Sequence, residues 1–241
     1  VNYILGAKKQ NGNLPQNGVI IKTIVTSEMG REIAKSYGIE TIDTLTGFKF
    51  IGEKINEFEH TGEHTFIFGY EESYGYLAGD FVRDKDAVIA SLLVCEMAAY
   101  YKSRGMSLYE GLVELWEKYG YYNETLKSIN MEGKEGMERI KAIMDGLRSN
   151  PPKQLNGVEV TRIEDYLESK AYEISEGRTE DINLPVSNVL RYILADSSWF
   201  CIRPSGTEPK VKLYFSVIGK DMKDGQKKMD GLIDSVMNRI Q

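Results

Sequence analysis

"GVIIKTIVTSEMGREIAKSYG", residues 18–38, changes texture halfway. Its first part, "GVIIKTIVT" (18–26), reads as a strand rich in β-branched residues. Ser27 then stands where a helix N-cap belongs, and Gly38 stops the helix that follows. "IETID" (39–43) is a second short strand. A strand, a helix and another strand in so few residues predict a crossover, and hence parallel pairing. Outward from there the alternation continues. "GFKFIGEKINEFE" (47–59) has apolar residues at 48, 51, 55 and 58, which is helical spacing. "HTFIFG" (64–69) is a third strand. "RDKDAVIASLLVCEMAAYYKSRG" (83–105) is a long helix whose early acids suit its N-terminus. "SLYEGLVELWEKYG" (107–120) is another helix, with Ser107 and Glu110 in capping-box spacing. Residues 1–118 are expected to form an α/β domain with a mainly parallel mixed sheet.

The pattern changes near Gly120. "YYNETLKSIN" (121–130) reads as a strand, and "KEGMERIKAIMDGLRSN" (134–150) as a helix stopped by Pro151 and Pro152. The polar stretch from Asn156 to Pro185 carries little periodicity. Three β-rich runs then follow closely, "NVLRYILAD", "SWFCIRP" and "KVKLYFSVIG", before an amphipathic helix over 221–240. Clustered strands with helices before and after predict a smaller α+β domain with an antiparallel sheet over residues 119–241.

Composition bounds the function. Of 241 residues, 41% are hydrophobic and 27% charged, enough apolar material for two cores. The net charge of −6 argues against general nucleic-acid binding, which needs a basic face. No apolar run reaches the length of a membrane span, and the first residues lack the order of a signal peptide. The two cysteines, Cys95 and Cys201, each lie in an apolar stretch and are expected to be free buried thiols in a reducing, cytoplasmic setting. His60 and His64 lack the further ligands that a zinc site requires and are expected in surface loops. The tyrosines and Trp116 between Tyr100 and Tyr122 are expected to be packing residues. The chain begins with valine, as a piece of a longer protein would.

Two loops stand out chemically. "FGYEESYGY" (68–76) runs a buried strand into adjacent carboxylates, Glu71 and Glu72. Neighbouring carboxylates repel, whereas sugar hydroxyls would donate to them and to Ser73; the plainer readings are a solvated acidic turn or a metal site. "RPSGTEPKVK" (203–212) sits between two apolar strands. Arg203 offers a fork of donors for a phosphate, Ser205 and Thr207 add hydroxyls, and Gly206 lets the backbone come close. Lys210 and Lys212 add positive charge. Here the plainer reading is a polar hairpin turn.

Together these loops resemble the sugar-recognition and C-terminal phosphate-binding loops of the α-D-phosphohexomutases, the phosphoglucomutase and phosphomannomutase family. "TLTGFKFIG" (44–52) and "VRDKDAV" (82–88) match further segments of that family in the same order, so the resemblance spans nearly the whole chain. It implies the third and fourth of four domains, the C-terminal half of an enzyme, with a glucose-type "EES" sugar loop. Glu71 and Ser73 would bind sugar hydroxyls, Thr46 and Gly47 would border the sugar, and Lys85 would supply a charge or handle a proton. Arg203, Ser205, Gly206 and Thr207 would hold the non-reacting phosphate. The resemblance assigns no role to Glu72, Tyr70, Lys210 or Lys212. The family's phosphoserine loop and its magnesium loop have no counterpart in this sequence. Magnesium, a hexose 1,6-bisphosphate intermediate and the N-terminal half of the same protein are therefore expected as partners of this half, and the half alone is expected to be inactive. A stand-alone phosphosugar-binding module, a phosphopentomutase and a bisphosphate synthase of the same family are the alternatives.

Overall fold

In the computed structural model, which describes residues 1–206 and 208–240, the run at 18–23 is the strand β1 (Gly18–Thr23), buried along its whole length. It follows helix α1 (Asn2–Gln10) and precedes α2 (Met29–Ser36), β2 (Glu40–Thr44), α3 (Phe48–Thr61) and β3 (Thr65–Glu71). β1 pairs in parallel with β2 on one side and β3 on the other, so neither of its edges is free. Its side chains alternate between two cores. Val19 and Ile21 pack on Phe48, Ile51, Ile55 and Phe58 of α3. Ile20 packs with Leu5 of α1, Ala34 of α2 and Ile67. Burial on both faces explains why the sequence shows a continuous apolar run rather than alternation. Ser27 caps one residue outside the expected place: its Oγ accepts the Met29 amide at 3.2 Å, while Glu28 occupies the N-cap.

A fourth strand, β4 (Gly75–Ala78), folds back on β3 as an antiparallel hairpin, giving the sheet order β2-β1-β3-β4. The glutamate-rich stretch is thus a hairpin tip. Helix α4 spans Ala87–Ser103. The Asp86 carboxylate accepts the Val88 and Ile89 amides at 2.9 and 3.0 Å, so Arg83, Asp84 and Lys85 lie before the helix and not within it. Cys95 on α4 is exposed, contrary to the buried thiol expected, because it lies on the face of α4 turned away from the sheet; Cys201 is buried. In α5 (Leu108–Tyr119) the Ser107–Glu110 capping box forms in both directions.

The chain divides into two compact units, Val1–Gly120 and Tyr121–Gln241. The second contains β5 (Tyr121–Asn130), α6 (Gly133–Ser149), β6 (Gln154–Leu155), β7 (Val158–Asp165), β8 (Lys170–Glu173) and β9 (Arg178–Asp181). β10 (Leu190–Leu194), β11 (Trp199–Pro204), β12 (Lys210–Gly219) and α7 (Met222–Ile240) complete it. Its sheet runs β5-β12-β11-β10-β7-β8-β9, with β6 on β7, and every pairing is antiparallel. Helices α6 and α7 share a core with one face of this sheet, through Met144, Leu147, Leu232 and Val236 against Tyr192, Phe200, Leu213 and Phe215. No helix among the described residues is long and apolar enough to cross a membrane.

Candidate functional site

The loops after β1, β2 and β3 all leave the carboxyl edge of the first unit's sheet, where open α/β sheets hold ligands. The loop after β3 is three residues long, closed by the Glu71–Gly75 pair. Tyr74 sits in it at φ 64°, a left-handed conformation costly for an aromatic residue, and is 87% exposed. The two glutamates diverge. Glu72 Oε2 accepts from Thr23 Oγ1 at 3.1 Å and from Thr26 Oγ1 at 3.3 Å. Glu71 instead lies over Gly75 beside Lys85: a Cβ at Gly75 would come 2.7 Å from Glu71 Cγ, Glu71 Oε1 and Lys85 Cδ. A side chain at Gly75 would force one of these two to move.

The Lys85 ammonium bonds Asp84 Oδ1 at 2.9 Å and stands 5.2 Å above the centre of the Phe48 ring. The hydrogen bond it donates to Asp84, with the charges of Asp84 and Glu71, raises the lysine above its ordinary pKa. It is held as a cation, which suits a fixed charge and not a proton acceptor. Phe48 is the first residue of α3, and Gly47 before it has φ 117°, a conformation that glycine alone adopts readily. Thr46 and Gly47 thus enter the same edge as Glu71 and Lys85, through the Phe48 ring. Ser73 is exposed at the hairpin tip.

In the second unit the 203–210 loop joins β11 to β12. The Ser205 amide donates to the Lys210 carbonyl at 2.7 Å, and the Glu208 amide donates to Ser205 Oγ at 3.3 Å. Arg203 is the direct cross-strand partner of Lys212, which in turn faces Ser128 on β5. Both cations are half-buried, and neither has a carboxylate or hydrogen-bond partner among the described residues. Opposed like charges destabilise a sheet, so this pair is poised for an anion. Lys210 differs, since Glu208 lies 3.8 Å from its ammonium. At Gly206 no atom comes within 4 Å of where a Cβ would stand. Among the described residues nothing packs closely enough to demand glycine there. Thr207 lies outside the described residues.

A cavity of about 370 Å³ on the α6 side of this loop is lined by Lys141, Arg148, Ser205 and Glu208. Its cations are compensated, Arg148 by Asp165 at 2.8 Å and Lys141 by Asp145 at 2.7 Å. Among the described residues, Arg203 and Lys212 have no such carboxylate. His64 packs its ring against Phe58 at 4.9 Å. Among the described residues no group of three or more His, Cys, Asp and Glu could hold a metal ion.

Sequence reasoning missed Thr23 and Thr26, whose only signal is the pair of threonines flanking the end of the first strand. It also missed that Lys212 stands opposite Arg203, a matter of long-range register.

Residues 2–119 match a family model described as phosphoglucomutase/phosphomannomutase, alpha/beta/alpha domain III. Residues 132–223 match the C-terminal domain model of the same family. A phosphoglucomutase of Staphylococcus aureus (strain bovine RF122 / ET3-1) is 39% identical over 96% of this chain, and that of strain MSSA476 is 38% identical over the same share. The chain spans 42% of the length of each. Among solved structures, the open form of the Paramecium phosphoprotein parafusin, titled a phosphoglucomutase, covers the whole chain with a TM-score of 0.66 at 17% identity; the match takes in 41% of its own chain. A phosphoglucomutase/phosphomannomutase family protein from Burkholderia thailandensis covers 99% of this chain and 41% of its own with a TM-score of 0.53 at 14% identity. Two consecutive domain matches, in the order and with the folds described above, place this chain in the phosphoglucomutase/phosphomannomutase family, spanning its third and C-terminal domains.

Proposed function

We propose that this chain is the substrate-recognising part of a phosphohexomutase that interconverts hexose 1-phosphate and hexose 6-phosphate through a bisphosphate intermediate. The observation that carries the reading is the Arg203–Lys212 pair, two cations in register with no carboxylate partner among the described residues. A phosphate dianion compensates both, and Arg203 can bond it with two parallel N–H donors. Ser205, Gly206 and Thr207 would close the cradle around it. In the first unit, Glu71 and Ser73 would accept from and donate to sugar hydroxyls. Thr46 and Gly47 would border the ring, and Lys85 would act as a fixed positive charge beside Glu71.

Such a division suits a reaction in which the sugar must be held in two orientations. The carboxylate recognises hydroxyls that either end of the ring presents. The cationic pair holds whichever phosphate is idle, so the other is aimed at the reacting group. Positioning of this kind makes a large contribution to phosphoryl transfer. The described residues offer no metal cluster. The ion and the phosphoryl-carrying serine of the mutase reading would be held by the remainder of the protein. The "EES" form of the loop favours glucose phosphates, and a cytoplasmic setting fits such a substrate.

The test is a coupled assay of glucose 1-phosphate conversion by the full-length protein, with bisphosphate and magnesium added, alongside mannose 1-phosphate and ribose 1-phosphate. Turnover of roughly 1 per second or more on a hexose phosphate supports the reading. Activity confined to ribose 1-phosphate, or none on any of the three, overturns it. The 241-residue chain alone is expected to show no turnover.

A further inference from the structure

Adjacent glutamates at the tip of one hairpin raise the question of what Glu72 does if Glu71 faces the sugar. We infer that Glu72 is a positioning residue: it pins the sugar hairpin to the end of β1 through Thr23 and Thr26, and so sets where Glu71 and Ser73 stand. The inference rests on the reading of Glu71 and Ser73 as sugar ligands.

The need for a pin follows from the register. The parallel ladder between β1 and β3 ends at Lys22–Tyr70. Residues 71–75 project past it, and the only strand pairing there is within the β3–β4 hairpin. A two-stranded overhang is weak by itself. Among the described residues, the two bonds to Glu72 Oε2 are the only side-chain hydrogen bonds that tie residues 72–74 to another element.

The anchor is built to be rigid. Thr23 and Thr26 are buried and joined by a turn in which the Thr26 amide donates to the Thr23 carbonyl at 3.0 Å. Their hydroxyls lie 2.7 Å apart. Beneath the turn runs Lys22, fully buried, whose ammonium donates to the Thr23 and Thr26 carbonyls at 3.3 and 3.1 Å. A buried ammonium is costly unless compensated. Here Glu28 and Asp43 stand 3.0 and 3.1 Å from it, and Arg31 ties the same two carboxylates together from the outside. The turn therefore has one geometry, and it presents two hydroxyls side by side. The two hydroxyl protons fill two of the three contacts among Thr23, Thr26 and Glu72: either both threonines donate to Glu72, or one donates to the other and that one donates to Glu72. In both arrangements the carboxylate accepts without donating. Glu71 keeps its own distinct surroundings at Gly75 and Lys85, so the two glutamates divide placement and contact between them.

The experiment uses the full-length protein and measures kcat and KM for hexose phosphate together with thermal stability. Glu72→Ala should lower kcat/KM about tenfold, as expected for a lost charge-assisted hydrogen bond. Thr23→Val with Thr26→Val should do the same without touching Glu72. The combined variant should be no worse than either, since the three groups act as one unit. Glu72→Gln, which keeps an accepting oxygen, should recover most of the loss. If the double valine variant does not fold, Thr26→Val alone carries the same expectation. Full activity in the valine variants, or losses that add, would overturn the inference and make Glu72 an independent ligand. Full activity in Glu72→Ala would overturn it outright. Glu71→Gln and Arg203→Ala run in parallel: if those two are silent, the sugar-phosphate reading itself fails, whereas if they alone are impaired, only the positioning role fails.

Discussion

Arg203→Ala should separate ligand binding from stability, moving the two in opposite directions. Arg203 and Lys212 are cross-strand partners on β11 and β12, and neither has a carboxylate partner among the described residues. Removing one of two opposed like charges relieves a few tenths to about 1 kcal/mol. The ligand-free variant should thus be as stable as the parent or slightly more so. Binding should suffer strongly. Two charge-assisted hydrogen bonds from the fork, each about 1.5–3 kcal/mol, amount to at least about 3 kcal/mol. At 1.4 kcal/mol per decade, that raises KM for a hexose phosphate by roughly two decades. Arg203→Lys should recover part of this, because an ammonium keeps the charge and loses the fork. The direct assay is scanning calorimetry in phosphate against chloride at matched ionic strength. Phosphate at about 100 times its dissociation constant adds about 2.7 kcal/mol to the state that binds it. Phosphate also stabilises proteins by exclusion, and the variant measures that background. The reasoning is refuted if Arg203→Ala melts well below the parent without ligand, or if it retains the full phosphate-dependent shift. Unphosphorylated glucose binding as tightly as phosphate would also refute it.

Ser73→Ala should raise KM far less than Arg203→Ala, since one neutral hydrogen bond contributes about 0.5–1.5 kcal/mol; steady-state kinetics of the two variants decides the order. Lys85 has its pKa raised above 10.5, chiefly by Asp84, so its contribution to stability is complete below that pH and is lost only as pH climbs through the higher folded value. The pH profile of kcat/KM should accordingly show no limb between pH 6 and 10 that disappears in Lys85→Met. Tyr74→Gly should raise the melting temperature by relieving about 1 kcal/mol of left-handed strain, and a lower melting temperature would show that the exposed ring is packed. Ser107→Ala should cost about 1 kcal/mol in denaturant unfolding, because the hydroxyl accepts the Glu110 amide at 3.2 Å and closes the capping box.

The parts of the fold legible in the sequence are those specified by short-range chemistry. The β1 run, the 3.6-residue spacing of α3 and the Ser107–Glu110 box each encode an element within about a dozen residues, and each forms. Two kinds of feature escaped. Strands β7 to β9 carry little apolar alternation because part of what joins them is charge: Arg162 on β7 pairs with Glu164, with Glu173 on β8 and with Glu180 on β9. Cross-strand ion pairs leave no hydrophobic period to read. β4 escaped because only Gly75 and Leu77 of its four residues point inward.

The candidate site was half-legible for a related reason. Residue type could nominate Glu71 and Arg203, but what each faces depends on register. An arginine in a Pro-Ser-Gly loop is an ordinary turn residue until β12 places Lys212 opposite it, with no carboxylate partner for either among the described residues. Likewise "EE" looks like two equal groups in repulsion. Strand geometry sends neighbouring side chains to opposite sides, and the end of the β1 ladder decides that one of those sides holds Thr23 and Thr26. The repulsion that made the pair puzzling is thereby reduced by separation. One carboxylate is engaged by hydroxyls inside the protein, and the other stands beside Lys85, with oxygens that can accept from a ligand's hydroxyls.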